Sequence, residues 1–246
     1  MVLRGVEDAD LLQHLGHSSV KGAIATLALH GALCLARPAA AKTQNDCAPV
    51  HIMSARGSNQ PPGEGPTLAP LVDAIVADHP GSTREPIVWP AVIFPYAESS
   101  HNGTLAVTAQ LTAYVERCPK SKIVLLGFSQ GSHVIGDSLC GGGGLLGIGP
   151  ITDPISTTIG DHVSAIVWLG DPRHRGNDTY NRGTSVRDGI FPRLQSQSCE
   201  HYAANLQSYC DTRDIFCDSG DSLQVHRGYI PKYLEAAKQF VNERLR

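Results

Sequence analysis

The sequence predicts an α/β fold, a three-layer αβα sandwich in which helices cover both faces of a parallel β-sheet. Short apolar runs rich in β-branched residues alternate along the chain with longer segments of helical periodicity. This alternation is typical of parallel strands joined by crossover helices. The chain has 246 residues, of which 41% are hydrophobic and 17% charged. It is therefore long enough to bury such a core and too apolar to be disordered.

Five strands and four helices are predicted from these runs, and no internal repeat is visible. The glycine-rich segment Gly141–Pro150 follows a helix and not a strand, so we interpret it as a flexible surface loop and not as a dinucleotide-binding turn. The predicted strands are Val50–Ala55, Ile87–Trp89, Ile123–Phe128, Ala165–Leu169 and Leu206–Tyr209. The predicted helices are Leu68–Asp78, Thr104–Arg117, Gln130–Cys140 and Gly228–Leu245.

An apolar run, Gly22–Ala36, lies near the N-terminus. At about 15 residues it is shorter than the roughly 20 that a membrane span needs, but it suits the core of a signal peptide. Lys21 precedes it and Ala39–Ala41 follows it, as expected around such a core. We therefore predict a secretory signal peptide over residues 1–41 and a single domain over residues 42–246. The alternative is a packed N-terminal helix.

The charge balance excludes several classes of partner. Twenty basic and 23 acidic residues give a formal net charge of −3, and there is no block rich in Lys or Arg. Binding to nucleic acid is therefore not expected. We expect a secreted, extracellular monomer without a membrane partner.

Ser129 is the candidate nucleophile. It is the central residue of Gly127–Gly131, a Gly-x-Ser-x-Gly run between the predicted strand Ile123–Phe128 and a predicted helix. Such a strand-turn-helix context is typical of a nucleophile elbow, where glycines let strand and helix approach and the sharp turn exposes the hydroxyl. The backbone N–H of Gln130, at the start of the helix, is placed to stabilise an oxyanion.

His226 is the candidate general base. In doubly wound hydrolases the acid and then the histidine follow the serine, with the histidine late in the chain. His226 lies in a predicted loop after every strand and before the terminal helix. His201, by its order in the chain, and His174, by its position after a strand, are the alternatives.

The acid is expected after the second strand beyond the nucleophile strand. We favour Asp214, because a disulfide loop between Cys210 and Cys217 would hold its carboxylate rigidly enough to orient an imidazole. Asp171, which follows the strand Ala165–Leu169, is the alternative, although an aspartate before proline is more often a turn residue. The aspartates available after the expected strand are Asp211, Asp214, Asp218 and Asp221.

Five short motifs occur in one order along the chain. They are Ala55–Ser58 after the first strand, Cys118–Pro119 before the nucleophile strand, Gly127–Gly131 at the elbow, Gly170–Arg173 after the fourth strand and Cys210–Cys217 before His226. In this order they resemble the cutinase and acetylxylan esterase family of secreted serine esterases. The resemblance covers nearly all of the chain after the predicted signal peptide.

The resemblance implies a cutinase-like α/β-hydrolase with a five-stranded parallel sheet and an open site without a lid. It implies Ser129 as nucleophile, His226 as base and Asp214 as acid. It also implies an oxyanion hole formed by the Gln130 N–H and by Ser58. The expected reaction is ester hydrolysis through an acyl-enzyme, with no metal and no cofactor.

The substrate implied is an ester of a polysaccharide or of a polyester. The segment Cys217–Val225 is mostly polar, and Leu139–Gly143 is similar to the acetylxylan esterase branch. Both favour short acyl groups, above all acetyl, on a plant polysaccharide such as acetylxylan. The alternative is cutinase-type hydrolysis of longer acyl esters, for which Leu223, Val225, Phe94 and Tyr96 would form an apolar rim. A secreted binding protein that keeps the fold without catalysis is a further alternative.

The seven cysteines indicate an oxidising compartment. Cys34 lies in the predicted signal peptide, so six remain in the mature domain. The resemblance implies the disulfides Cys47–Cys118 and Cys210–Cys217, which leaves Cys140–Cys199 as the third.

Two Asn-x-Ser/Thr sequons are candidate glycosylation sites. They begin at Asn102 and Asn177. Both would be used only in a eukaryotic secretory pathway.

Overall fold

The computed structural model describes residues 47–246, so the predicted signal peptide and Cys34 lie outside the described residues. The described chain forms one parallel sheet of six strands in the order β2-β1-β3-β4-β6-β5. The strands are β1 Val50–Ala55, β2 Thr83–Pro86, β3 Lys122–Phe128, β4 Val163–Leu169, β5 Asn181–Gly183 and β6 Leu206–Cys210.

Helices cover both faces of the sheet. Because successive residues of a strand point to opposite faces, β3 contributes Leu125 to one hydrophobic core and Val124 to the other. The helices are α1 Gly65–Asp78, α2 Tyr96–Arg117, α3 Gln130–Cys140, α4 Thr157–Gly160, α5 Leu223–Arg227, α6 Tyr229–Lys232 and α7 Leu234–Arg244. Helices α2 and α3 pack on the first core, and α1 and α7 on the second. The predicted three-layer sandwich is confirmed.

The prediction of five strands is wrong by one, because β5 has three polar or small residues at the sheet edge and no apolar pattern. The predicted strand Ile87–Trp89 is also wrong, since the paired strand β2 ends at Pro86. Ile87 and Trp89 are buried while Val88 is 80% exposed. That alternation imitates a strand, although the chain is already leaving the sheet there.

Two helix predictions also need correction. Helix α2 begins at Tyr96, well before the predicted start at Thr104, because its first two turns are mostly small and polar and give no apolar periodicity, although Ser99, Ser100 and Gly103 are buried. The predicted single helix Gly228–Leu245 is divided between α6 and α7. Ile230 has φ −110° and ψ 124°, outside the helical region. It precedes a proline, which disfavours helical backbone at the preceding residue.

The glycine-rich segment Gly141–Pro150 is only in part the surface loop that was predicted. Its first three glycines are buried, and Gly142 pairs with Thr152 in an isolated bridge. The Gly143 N–H donates to Asp137 Oδ2 at 3.1 Å. Leu146, by contrast, is 99% exposed. The segment therefore starts as packed structure, is a surface loop over residues 144–147, and packs again at Ile148, which is buried.

The described chain contains three disulfides: Cys47–Cys118, Cys140–Cys199 and Cys210–Cys217. They include the two pairs that the resemblance implies and the remaining pair, Cys140–Cys199. The first two close loops of 71 and 59 residues, so they restrict the unfolded chain most. The third spans a separation of only seven residues and contains Asp214, so its main effect is on local position.

Candidate active site

Ser129 lies in the sharp turn between β3 and α3. Its backbone has φ 55° and ψ −123°, which is rare for a residue with a side chain, and its N–H donates to Leu169 O at 2.8 Å. A Cβ on Gly131 would lie 1.8 Å from Ala55 O, so only glycine lets α3 approach β1 this closely. The side chain borders an open cavity. The local sequence thus builds the predicted elbow.

His226 borders the same cavity and lies on the short helix α5, not in the loop that was predicted. Its Nδ1 is 2.9 Å from Asp214 Oδ2 and 3.1 Å from Oδ1. Gly170, at φ 65°, leaves room for the ring, since a Cβ there would lie 2.9 Å from His226 Cε1. With Nδ1 engaged by the carboxylate, Nε2 is the ring nitrogen left for the cavity.

Asp214 is fully buried and accepts hydrogen bonds on both oxygens. Besides His226, the N–H groups of Phe216 and Cys217 donate to Oδ1 at 2.7 and 3.0 Å, and the Tyr229 hydroxyl donates to Oδ2 at 2.7 Å. Burial alone would raise the pKa of the Asp214 carboxyl, but the donors more than offset it and hold that pKa below its usual value. The contact with Tyr229 was not predicted, because nothing in the spacing of the sequence indicates it.

The carboxylates of the alternative acids bind partners other than His226. Asp171 accepts the Arg173 N–H at 3.0 Å, as expected of a turn aspartate. Asp211 binds Lys232 and Tyr233, and Asp218 binds Ser185 and the Arg213 N–H. Asp221 forms an exposed ion pair with Arg213. Of the aspartates considered, Asp214 is the one that contacts His226.

The alternative histidines also lie outside this arrangement. His201 is exposed and pairs with Asp161 at 2.8 Å. His174 is buried, and neither ring nitrogen has a hydrogen-bond partner among the described residues. Burial lowers the pKa of His174, although nearby aspartates, Asp171 first, act against it. Neither ring borders the cavity that Ser129 and His226 share.

Ser58 and Gln130, the candidate oxyanion-hole residues, are in direct contact. Ser58 Oγ donates to Gln130 Oε1 at 2.8 Å, and Gln130 is fully buried as the first residue of α3. Arg56 fixes the loop that contains Ser58, because its guanidinium donates to the carbonyls of Trp89 and Gln60 at 2.8 and 3.0 Å. These bonds place Ser58 beside the N-terminus of the helix that follows Ser129.

The cavity has a volume of about 680 Å³ and mixed walls. Nine apolar or aromatic residues and seven polar ones border it. The apolar and aromatic ones are Pro66, Ile93, Tyr96, Phe128, Pro172, Ile190, Phe191, Phe216 and Leu223. The polar ones are Ser58, Asn59, Gln60, Thr67, Ser129, His226 and Arg227. Of the predicted apolar rim, Tyr96 and Leu223 border the cavity, whereas Phe94 and Val225 do not.

A second buried His–Asp pair lies on α3. His133 Nε2 is 3.1 Å from Asp137 Oδ2, and Nδ1 is 3.0 Å from the hydroxyl of Tyr96, which borders the cavity. Arg173 and Arg193 donate to the same carboxylate at 2.7 to 2.8 Å. Sequence reasoning missed this cluster, although the i, i+4 spacing of His133 and Asp137 on a predicted helix was a signal for the pair.

Asn102 and Asn177 are both exposed, Asn102 within α2. Among residues 47–246, no group of three or more His, Cys, Asp or Glu side chains could hold a metal ion. In the same part of the chain no helix is long and apolar enough to cross a membrane.

Comparison with known proteins identifies relatives of this fold and sequence. Residues 46–245 match the family model Cutinase. The chain is 34% identical over 210 residues to Cutinase 11 of Verticillium dahliae, which covers 82% of this chain and 70% of that protein. It is 33% identical over 237 residues to an acetylxylan esterase of Hypocrea jecorina, with 92% and 78% covered.

Solved structures give the same result. An acetylxylan esterase determined at 0.90 Å resolution superposes with a TM-score of 0.77 at 33% identity, covering 81% of this chain and all of that one. The catalytic core domain of acetyl xylan esterase from Trichoderma reesei superposes with a TM-score of 0.75 at 34% identity, covering 80% and 99%. The chain therefore belongs to the cutinase family and is a serine carboxylic ester hydrolase.

Proposed function

We propose that the chain hydrolyses short acyl esters, above all acetyl groups on a plant polysaccharide such as acetylxylan, with Ser129, His226 and Asp214 as its catalytic triad. One observation carries the proposal: Asp214 holds Nδ1 of His226, and His226 borders the cavity together with the serine of the elbow. A histidine oriented by a carboxylate, at the cavity that the serine borders, supports nucleophilic catalysis by that serine.

In the proposed reaction, His226 Nε2 takes the proton of Ser129 as Oγ attacks the ester carbonyl carbon. Asp214 keeps the imidazole in the tautomer with the proton on Nδ1 and stabilises the imidazolium that forms. The imidazolium then protonates the departing alcohol, which leaves an acyl group on Ser129. Water, activated by the same imidazole, attacks the acyl-enzyme and releases the acid.

The oxyanion of each tetrahedral intermediate is stabilised at the N-terminus of α3. The Gln130 N–H lies there, where backbone donors and the helix dipole favour negative charge. Ser58, whose hydroxyl proton is donated to Gln130 Oε1 at 2.8 Å, supplies its backbone N–H as the second donor. Preorganised donors of this kind need no rearrangement as the charge develops.

Two observations support acetyl esters of a polysaccharide. Relatives named acetylxylan esterase match this chain at 32 and 33% identity, over 82 and 92% of its length. The cavity is also bordered by polar side chains, among them Asn59, Gln60 and Thr67, which suit the hydroxyl groups of a sugar.

The second candidate is hydrolysis of longer acyl esters, as in a cutinase. It is favoured by the apolar residues that border the cavity, of which Ile93, Ile190 and Leu223 are each more than 40% exposed. Exposed aliphatic side chains at a site gain free energy when an acyl chain covers them, by about 25 cal/mol per Å² of apolar surface.

Initial rates on esters of one alcohol, with acyl chains from two carbons upward, decide between the two, beside acetylated xylan and a polyester. We expect kcat/KM to be highest for acetyl and to fall beyond about four carbons. Leu223→Ser should then leave acetyl hydrolysis within about twofold. The matched control is Leu194→Ser, because both leucines are 41% exposed and Leu194 does not border the cavity. A preference for long chains, lost in Leu223→Ser and kept in Leu194→Ser, would instead establish the cutinase-type reaction.

Secretion into an oxidising compartment is part of the proposal. The three disulfides of the described chain support it, because such bonds persist outside the reducing cytosol. Mass spectrometry of the secreted protein tests it: all six cysteines should resist alkylation without reduction, and the N-terminus should lie near residue 42.

A further inference from the structure

Tyr229 lies directly behind the His226–Asp214 pair. Its side chain is fully buried, and its hydroxyl donates to Asp214 Oδ2 at 2.7 Å. The same oxygen accepts the Asp211 N–H at 3.1 Å and lies 3.1 Å from Cys217 Sγ. The Asp211 N–H already points at the phenol oxygen, and the Asp214 carboxylate can only accept. The single proton of the phenol is therefore donated to Asp214.

The two oxygens of Asp214 have different partners. Oδ1 receives the backbone N–H groups of Phe216 and Cys217. Oδ2 receives the Tyr229 hydroxyl and is the oxygen closer to His226 Nδ1, at 2.9 Å against 3.1 Å. Tyr229 and His226 therefore share one oxygen. The tyrosine controls both the rotation of the carboxylate and the charge on the oxygen that faces the imidazole.

We propose that Tyr229 is a positioning residue for ester hydrolysis, which acts through Asp214 on the His226 imidazole. The inference rests on the proposed function, because it gives the tyrosine a role only if His226 is the general base. It goes beyond the triad by assigning a fourth side chain to the alignment of the base.

The hydroxyl is a permanent donor. Burial first, and then the neighbouring Asp214 carboxylate, raise the pKa of Tyr229 well above its usual value. The phenol thus keeps its proton wherever the enzyme works. Its hydrogen bond draws charge from Oδ2, so its removal makes the carboxylate a stronger partner for the imidazolium. The acidic limb of the pH–rate profile should then move to higher pH.

Tyr233 provides a matched control. It donates to a neighbouring aspartate of the same loop, Asp211, at the same 2.7 Å, and its ring stacks on Tyr229 at 6.2 Å between centroids. Asp211, however, binds Lys232 and Thr184 and does not contact His226. The loss of the Tyr233 hydroxyl thus removes a hydrogen bond of the same length to the Asp211 side chain, and it leaves in place the Asp211 N–H that points at Tyr229 and the contacts of Tyr229 and His226 with Asp214.

The experiment compares Tyr229→Phe with Tyr233→Phe in the full chain, with kcat and KM measured on a soluble acetyl ester from about pH 4 to 9. We expect Tyr229→Phe to lower kcat about tenfold with KM within about twofold, because the Asp214 carboxylate loses the donor that fixes its orientation toward His226. Its acidic limb should move to higher pH. Tyr233→Phe should keep the wild-type kcat and limb, although both variants lose some thermal stability.

A Tyr229→Phe variant with the wild-type kcat and limb would overturn the inference, as would an equal shift in Tyr233→Phe. If Tyr229→Phe does not fold, 3-fluorotyrosine at position 229 serves instead. It is a stronger donor, so the limb should move to lower pH, and an unmoved limb would again overturn the inference. The Ser129→Ala variant distinguishes a failure of the proposed function from a failure of the inference about Tyr229. If Ser129→Ala keeps full activity, the proposed function fails and the inference with it, whereas a wild-type-like Tyr229→Phe beside an inactive Ser129→Ala overturns the inference alone.

Discussion

The molecule contains two buried His–Asp pairs in contrasting surroundings. In the open pair, His226–Asp214, the imidazole borders the cavity, and the carboxylate has no arginine partner among the described residues. In the closed pair, His133–Asp137, the imidazole is fully buried between Tyr96 and Asp137. Both pairs have similar distances, 2.9 Å and 3.1 Å between nitrogen and oxygen.

The surroundings decide what each pair can do. Arg173 and Arg193 neutralise the carboxylate of the closed pair, and both nitrogens of His133 already have partners. That imidazole has no free nitrogen with which to take a proton from a substrate. In the open pair, Nε2 of His226 is left for the cavity, and the negative charge of Asp214 is left to stabilise the imidazolium. The histidine of a buried His–Asp pair can therefore act as a base only where one ring nitrogen is open to the substrate and no other cation neutralises the carboxylate.

The largest expected effect comes from breaking the open pair. Asp214→Asn removes the acceptor that holds Nδ1–H of His226, so we expect kcat to fall by about 10⁴-fold. The protein should remain folded, since the side-chain amide oxygen of the variant still accepts the Phe216 and Cys217 N–H groups. Steady-state kinetics with circular dichroism measure both.

Asp171→Asn is the control for this prediction, because Asp171 is the other acid that the sequence allowed. It should keep kcat within a few fold, since its carboxylate binds the Arg173 N–H and lies 3.7 Å from Arg193. Loss of activity in Asp171→Asn with near-normal turnover in Asp214→Asn would reverse the assignment of the acid.

The next largest effect comes from breaking the closed pair. Asp137→Asn removes the carboxylate that both Arg173 and Arg193 bind, and leaves them only the buried Asp171, 3.7 Å from Arg193, as a nearby counter-charge. This should cost about 3 kcal/mol in the free energy of unfolding. For a domain of this size the unfolding midpoint should fall by about 10 °C. Activity at low temperature should stay within a few fold of wild type. A variant of normal stability and no activity would contradict the contrast between the pairs.

The closed pair should also make stability depend on acid pH. Burial opposes ionisation of Asp137, but His133, Arg193 and Arg173 more than offset it and hold the pKa of this carboxyl well below its usual value. The stabilisation is therefore complete above the unfolded pKa of about 3.9 and is lost as the pH falls below it. Urea unfolding between about pH 5 and 2.5 should show a steeper loss for wild type than for Asp137→Asn. Parallel curves would contradict this.

The smallest expected effect comes from separating the closed pair from the cavity. Tyr96→Phe removes the 3.0 Å contact with His133 Nδ1 but keeps the ring that borders the cavity and packs near Phe191. We expect a loss of about 1 kcal/mol in the free energy of unfolding and kcat/KM within about threefold. A loss of kcat as large as that of Asp214→Asn would mean that the closed pair takes part in the reaction.

The sequence predicts the centre of the sheet and the elbow because their signals are local. Strands β1, β3 and β4 are buried on both faces, as parallel strands must be, so they read as apolar runs. The position of Ser129 follows from a short glycine pattern placed between a strand and a helix. The choice of His226 follows from its order in the chain, although α5 at His226 was not predicted. Order alone leaves four aspartates open, and Asp214 is favoured among them by the disulfide loop around it and by the family resemblance.

The edges of the fold and the surroundings of the site could not be predicted in this way. Strands β2 and β5 are short and polar. They are strands because their backbones pair with neighbouring strands, and this pairing gives no pattern in their residue types. Tyr229 reaches Asp214 only because the chain turns between α5 and α6. Likewise Arg173 and Arg193 reach Asp137 from positions 36 and 56 residues away. Such contacts depend on tertiary packing, which a single sequence does not reveal.

The most direct test of the proposed triad is covalent labelling with a fluorophosphonate, read by peptide mass mapping. Attack by an activated serine forms a P–O bond and releases fluoride, so the label marks the nucleophile itself. We predict one label per chain, on Ser129, which disappears in Ser129→Ala and forms far more slowly in Asp214→Asn. A folded wild type that stays unlabelled, or a label that persists in Ser129→Ala, would contradict the account.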